Sequence, residues 1–348
     1  MTDYTIEAED LNLDGYVARE HDVASDGGYI QSWSGGSAST TFEGEAGRYL
    51  IDLTVFDEND GASTVELIVN GEVVAILIMD ENAGGGWITD TLTRFSLVEI
   101  ELAPGDTLEI RSTADEGEPA RIDKIDLTAV EAQDIDPALI GETIEVYFED
   151  YDGSVDEGDF NESNDQLTTS GRDDGVYRSE LVDMDDLVNG EITLDLGIRK
   201  GSFEEWGTNY GDYFSVELID QNGVIHVLDV YSGAGTTLTG SRSGQTIDND
   251  GMTGIVYEVP PGVTSFTIQL QSDISAAGEV VAIDNVRVTG SELLESQALD
   301  AIDDVFTVSE SEGAGDVEGN VLANDESDFG PVTTVFSVEG QTANVGEF

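Results

Sequence analysis

Carboxylates are the reactive groups that this sequence holds in quantity: 75 Asp and Glu stand against 12 Lys and Arg, a formal net charge of −63 at pH 7. Their placement matters more than their number. Glu7 and Glu9 lie together in IEAED (6–10), and Asp123 interrupts the apolar run ARIDKIDL (120–127). The pattern recurs: Glu149 and Asp150 lie together in EVYFEDYDG (145–153), and Asp284 interrupts VAIDNVRV (281–288). An Asp inside a buried apolar strand is unfavourable unless it is hydrogen-bonded or metal-bound. Hard divalent cations, calcium above all, take carboxylate and carbonyl oxygen. If the first and last strands of each unit lie side by side, each set of acids converges on one spot. The bland alternative is an Asp hydrogen-bonded to backbone at a strand end.

Aromatics in glycine-rich stretches offer a second chemistry. Tyr29 and Trp33 sit in GGYIQSWSGG (27–36), and Trp87 in GGGWITD (84–90). Glycine on both sides predicts exposed loops. An aromatic face matches the apolar C–H face of a sugar, and nearby polar groups read its hydroxyls. The same aromatics could instead cap a sandwich. EGEPARID (116–123) adds Glu118 and Arg121. Arginine can grip a carboxylate or sulfate in a fork, which would make an acidic polysaccharide the partner. Arg121 can equally pair with Glu116 or Glu118.

Catalysis finds little purchase. There is no Cys, and the only His and Lys are His21, His226, Lys124 and Lys200. Nucleophilic triads and three-histidine zinc sites are therefore excluded or strained. His226, in VIHVLDV, reads as a satisfied strand residue. A pair of glycosidase carboxylates is not excluded by counting, and His21, Tyr29 and Arg121 are the cluster a lyase would need. The expectation is a protein that is not an enzyme.

The elements that position these residues are strands. Alternating apolar runs fall at 48–56, 64–79, 98–102 and 107–112, then at 143–153, 191–199, 212–220, 224–231, 254–259, 264–271 and 280–289. Asn70-Gly71 marks a two-residue hairpin, and Pro104-Gly105-Asp106 a turn. The best helical pattern, SELLESQALDAI (291–302), also reads as a linker. The fold class expected is all-β: tandem β-sandwich (jelly-roll) domains at 1–130 and 142–290, linkers at 131–141 and 291–300, and a partial third β unit at 301–348. EDYDGSVDEGD (149–159), DNDG (248–251) and FDENDG (56–61) miss the EF-hand spacing and read as turns.

A charge of −63 excludes the phosphate-neutralising surface of nucleic-acid binding and the basic segments that dock on anionic membranes. No apolar run reaches the ~18 residues of a membrane span, so no membrane insertion is expected. Without cysteine there are no disulfides, and calcium is the staple expected instead. MTDYTIEAED lacks the regions of a signal peptide, and GQTANVGEF stops without a closing element. An excised piece of a larger extracellular chain is the expectation.

Residues 4–130 resemble family 6 and family 35 carbohydrate-binding modules, through IEAED (6–10), AGRYLIDLTVF (46–56), GDTLEIRS (105–112) and ARIDKIDL (120–127) in that order. The resemblance implies a structural calcium held by Glu7, Glu9 and Asp123. It also implies a sugar site of two loop aromatics, Trp87 with Trp33 or Tyr29. Where many members place Asn before the closing strand, this chain has Arg121, which puts the polar contact in doubt. The second unit looks like a calcium-binding jelly roll with a closing DNV strand, a weaker match that implies Glu149, Asp150 and Asp284 as ligands. Its loops offer Tyr177, Trp206 and Tyr210 for a sugar, with packing as the default. GNVLAND (319–325) in the tail is similar to cadherin-like repeats of RTX-type bacterial surface proteins. Together these imply a non-catalytic, calcium-dependent glycan-binding fragment at the cell surface. The alternatives are a calcium-stiffened adhesin spacer and, third, a polysaccharide-degrading enzyme.

Overall fold

A computed structural model of the chain describes residues 2–58, 61–81, 91–114, 119–130, 137–149, 160–162, 166–169, 175–204, 212–276 and 278–293. Trp87, Glu118, Asp150, Trp206, Tyr210 and the GNVLAND run lie outside the described residues. The chain divides into two units, 1–135 with 140–292, and 136–139 with 293–348. Within the second unit the structure describes the 3₁₀ turn Pro137–Leu139 and Leu293. The first unit is all-β and holds two sandwiches.

In the first sandwich, Gly47–Val55 lies between Thr93–Leu102 and Ala120–Ala129. Gly28–Ser32 and Tyr4–Glu7 share the far edge of Ala120–Ala129, and Val17–Glu20 closes that side. The facing sheet orders Asn12–Asp14, Gly36–Thr41, Thr107–Thr113, Ser63–Val69 and Glu72–Met79. Period-two alternation sends Tyr49, Ile51, Leu53 and Val55 into the core against Leu67, Leu77, Leu108 and Ile110. The 70–71 turn forms as its sequence demands. Val69 pairs Glu72, and both turn residues take positive φ, 52° at Asn70 and 85° at Gly71, the backbone that a two-residue hairpin requires. At the 104–106 turn, Asp106 accepts hydrogen bonds from the Ala103 N–H (2.7 Å) and the Asn70 amide (2.9 Å), and they hold its carboxyl below the usual range.

The second sandwich places Gly175–Asp183, Ser265–Asp273, Tyr213–Asp220 and Ile225–Ala234 in one sheet. The other sheet holds Phe160–Glu162, Leu167–Thr169, Val280–Leu293, Leu187–Lys200 and Thr253–Glu258, with Ile140–Glu149 on Val280–Leu293. Thus Tyr4–Glu7 pairs with Ala120–Ala129, and Ile140–Glu149 with Val280–Leu293: each opening strand lies on its closing strand. The helical pattern at 291–302 does not hold at its start, because Ser291–Leu293 continue the closing strand. Tertiary pairing with Leu187–Lys200 overrides the weak 3.6 period there.

The two sandwiches share a sheet. Ile225–Ala234 pairs in parallel with Thr93–Leu102, at Ile225 with Phe95 and His226 with Ser96, giving a continuous twelve-stranded sheet. Each strand would otherwise expose unpaired backbone at a sheet edge. Tyr213, Ile225, Val227 and Val230 pack into the core of the first sandwich. Polar groups tie the same junction: the Tyr213 hydroxyl donates to Asp80, and Arg242 Nη1 to the Leu97 carbonyl at 3.4 Å. Among the described residues no helix is long and apolar enough to cross a membrane.

Candidate functional site

The closing strand Ala120–Ala129 carries two buried charges two residues apart, Arg121 and Asp123. A β-bulge separates their environments. The register against Gly47–Val55 slips between Ile122 and Lys124, which leaves Asp123 as the extra residue. Bulges re-aim side chains in this way beside functional sites.

Asp123 is fully buried, and its Oδ1 accepts the Ser25 backbone N–H at 2.8 Å. The Ser25 hydroxyl in turn donates to Glu7 Oε2. Glu9, one turn on, sets its carboxylate against Gly28, where a Cβ would collide with it. Two carboxylate oxygens here are buried without a partner, Glu9 Oε2 and Asp123 Oδ2. Burial pushes the Asp123 carboxyl up to about 6, the Ser25 N–H opposes that shift, and the Glu7 charge adds to it. Glu7, Glu9 and Asp123 thus surround the 21–27 loop, although their oxygens do not close within 4.8 Å of one another. Carboxylates alone, two with unsatisfied buried oxygens, suit a hard divalent cation and not zinc.

The aromatics separate sharply. Tyr29 is 3% exposed, its ring edge-on to Phe56 at 5.1 Å and to His21 at 6.5 Å. It has no free face to offer a sugar, because strand alternation turns it into the small cluster with Ala24 and Phe56. Trp33 is 61% exposed, directly after a strand, Gly28–Ser32, in which every residue is buried. Of the two alternatives, the open face belongs to Trp33. The Arg121 guanidinium stands 5.8 Å from its ring centroid, within cation–π range.

Arg121 is 3% exposed and ion-paired to Glu58, itself buried; Glu116 and Glu118, its other expected partners, lie outside the described residues. Its carbonyl accepts the Phe56 N–H at 3.1 Å. Read as a turn, FDENDG in fact supplies three buried residues, Phe56, Asp57 and Glu58. The available signal was two acids placed immediately after the apolar run LIDLTVF.

In the second sandwich, Glu149 accepts hydroxyls from Tyr147 (2.7 Å) and Tyr177 (3.2 Å). Asp284 accepts the Gln166 amide at 2.9 Å and the Asn285 N–H at 2.8 Å. Protein donors serve each of these two acids. Tyr177 is thereby engaged with the acid. His226 points Nε2 to Asp220 at 3.3 Å, and burial holds its pKa below the usual value.

A cavity of about 600 Å³ lies between the sandwiches, lined by Arg48, Glu99, His226, Arg242, Tyr257 and Glu258. Its charges are of both signs, and Arg242 is committed to backbone carbonyls of Leu97 and Val227. The end of the first sandwich is the better candidate, since among the described residues it alone pairs an exposed aromatic with a buried cation.

No protein-family model and no curated protein matches the chain. Among solved structures, it is similar to an exo-β-1,3-galactanase from Phanerochaete chrysosporium in complex with galactose: 19% identity over 36% of this chain and 29% of that one, TM-score 0.29. A family 35 carbohydrate-binding module from Clostridium thermocellum is 15% identical over 37% of this chain and 100% of its own, TM-score 0.31. The C-terminal family 6 module of a marine laminarinase from Zobellia galactanivorans is 20% identical over 36% of this chain and 99% of its own, TM-score 0.29. The chain thus spans under a third of the galactanase.

Proposed function

We propose that the chain is a non-catalytic, calcium-dependent glycan-binding segment of a larger extracellular protein. One observation carries this reading. The fully buried strand Gly28–Ser32 delivers Trp33 into solvent, 61% exposed, beside the guanidinium of the buried Arg121. A large aromatic held open by a buried cation is a stacking platform for a sugar ring. Trp87 is proposed as its partner across the sugar, with Glu118 and Arg121 supplying selectivity. Arg121 acts first by fixing Trp33. An acidic polysaccharide is the proposed class, since a guanidinium placed beside the platform is uncommon in a chain with 12 Lys and Arg against 75 acids.

Calcium at Glu7, Glu9 and Asp123 supports the platform indirectly. An ion there would fix Ser25 and the 21–27 loop, and with them the His21–Tyr29–Phe56 cluster that abuts Arg121. The orphaned oxygens of Glu9 and Asp123 support this assignment. The tail is proposed as the start of a cadherin-like repeat that leads into further domains.

A second reading, a calcium-stiffened adhesin spacer, is favoured by the continuous twelve-stranded sheet, which would resist bending between the sandwiches. A glycan array in calcium buffer separates the two. Binding to a polysaccharide is expected, weakened about tenfold or more by Trp33→Ala, since stacking contributes on the order of 1.4 kcal/mol. Because the ring is exposed, the variant should lose less than about 1 kcal/mol of stability. Folded protein that binds no glycan would leave the spacer. New reducing or unsaturated ends in the polysaccharide would show an enzyme.

A further inference from the structure

The sequence motifs do not account for a third group of acids, in the second sandwich. Glu204, Asp212 and Glu279 place ligand oxygens within 4.8 Å of one another. They come from loops and strand ends of both sheets. Glu204 lies just beyond Leu187–Lys200, and Glu279 directly precedes Val280–Leu293, its neighbour through the Lys200–Val280 pair. Asp212 directly precedes Tyr213–Asp220, and Ser275 follows Ser265–Asp273; those strands pair at Tyr213 with Asp273. The cluster therefore spans the two facing sheets at one end of the sandwich.

Its interior is built rather than incidental. Asp212 is fully buried and accepts the Ser275 N–H at 2.7 Å and the Glu204 N–H at 2.6 Å. The Ser275 hydroxyl donates to Glu204 Oε2 at 3.0 Å. Glu279 is 5% exposed, and its Oε2 is buried with no hydrogen-bond partner. Among the described residues none of the three forms an ion pair with Lys, Arg or His. Burial, then the charges of Asp212 and Glu204, push the Glu279 carboxyl above its ordinary range. Like charges gathered in a dry site repel, and an unsatisfied buried oxygen adds to the penalty.

We infer that Glu204, Asp212 and Glu279, with the Ser275 hydroxyl, form a binding site for a calcium-type divalent cation that staples the two sheets of the second sandwich. Three carboxylates and a hydroxyl suit an ion that takes six to eight oxygens, with water completing the shell. The all-oxygen set disfavours zinc. In a chain without disulfides, the ion would do the work of a cross-link at the open end of the sandwich.

The test is thermal unfolding of the full chain, metal-free and then in millimolar calcium, at one ionic strength so that general screening of the −63 charge is constant. Glu279→Gln should raise the melting temperature in chelator, because it relieves the repulsion. The same variant should lie below wild type in calcium. Calorimetric titration should show it one calcium site short, or with that site weakened about tenfold or more, while Asp123→Asn keeps that site. Failure at Asp123 with retention here would overturn only the first-sandwich assignment. Equal shifts of Glu279→Gln with and without calcium, and no lost site, would show carboxylates that merely share protons and would overturn the inference. If Glu279→Gln does not fold, Glu204→Gln, at the exposed edge, decides: an unaltered calcium response refutes the site.

Discussion

Alanine at Arg121 is expected to destabilise the first sandwich by about 3 kcal/mol or more, one of the two largest effects foreseen. The guanidinium and the Glu58 carboxylate it pairs with are both withdrawn from water, at 4% and 1% side-chain exposure. Removing one partner of such a pair leaves a charge in a medium that solvates it poorly, and losses of about 3–5 kcal/mol are typical. The pair itself contributes less, because its attraction is offset by desolvation. Arg121→Met combined with Glu58→Gln should therefore recover most of what Arg121→Met alone loses. Urea unfolding monitored at constant m-value measures both variants. Equal destabilisation by the single and double variants would show that the pair does not hold this end together.

The second large effect is a dependence on pH set at the junction of the sandwiches. Glu217 is buried beside Glu81, and Gln269 Nε2 donates to both, at 2.7 Å and 2.6 Å. Burial first, and the Glu81 charge second, push the Glu217 carboxyl up to about 8. Burial raises Glu81 as well, opposed by Gln269 and by Arg178, whose Nη2 stands 3.7 Å away. The folded chain thus keeps a proton that the unfolded chain releases near 4.5. Stability from this group is complete below that value and is lost as pH rises toward 8. The slope approaches about 1.4 kcal/mol per pH unit for one proton. Glu217→Gln, which mimics the neutral acid, should flatten the profile and exceed wild type at pH 8 by several kcal/mol. Stability curves of the two proteins that run parallel from pH 5 to 8 would refute the assignment. The acidic surface cannot produce the difference, since the two chains share it.

How much of this was legible in the sequence follows from how far apart the causes lie along the chain. Runs such as RYLIDLTVF announce their strand because alternation is local, and Asn70-Gly71 announces its turn because φ > 0 restricts the residue type. Gly36–Thr41, GSASTT, was silent: its one buried residue, Ala38, leaves no apolar rhythm to detect. The meeting of Glu7 with Asp123 near Ser25 could be anticipated because opening and closing strands pair in both units. Glu58 was hidden by resemblance to a turn, and the Glu204–Asp212–Glu279 cluster by its assembly from separate loops and strand ends of two sheets. The shared sheet depends on two residue pairs, Ile225 with Phe95 and His226 with Ser96, that carry no mark of their own.

Affinity electrophoresis of the full chain through gels containing acidic polysaccharide, run first in chelator and then with calcium restored, probes the platform and its support together. Retardation that vanishes in chelator, returns with calcium and is absent from Trp33→Ala is the outcome this account requires. Mobility indifferent to polysaccharide in both conditions, from protein that is demonstrably folded, would contradict it.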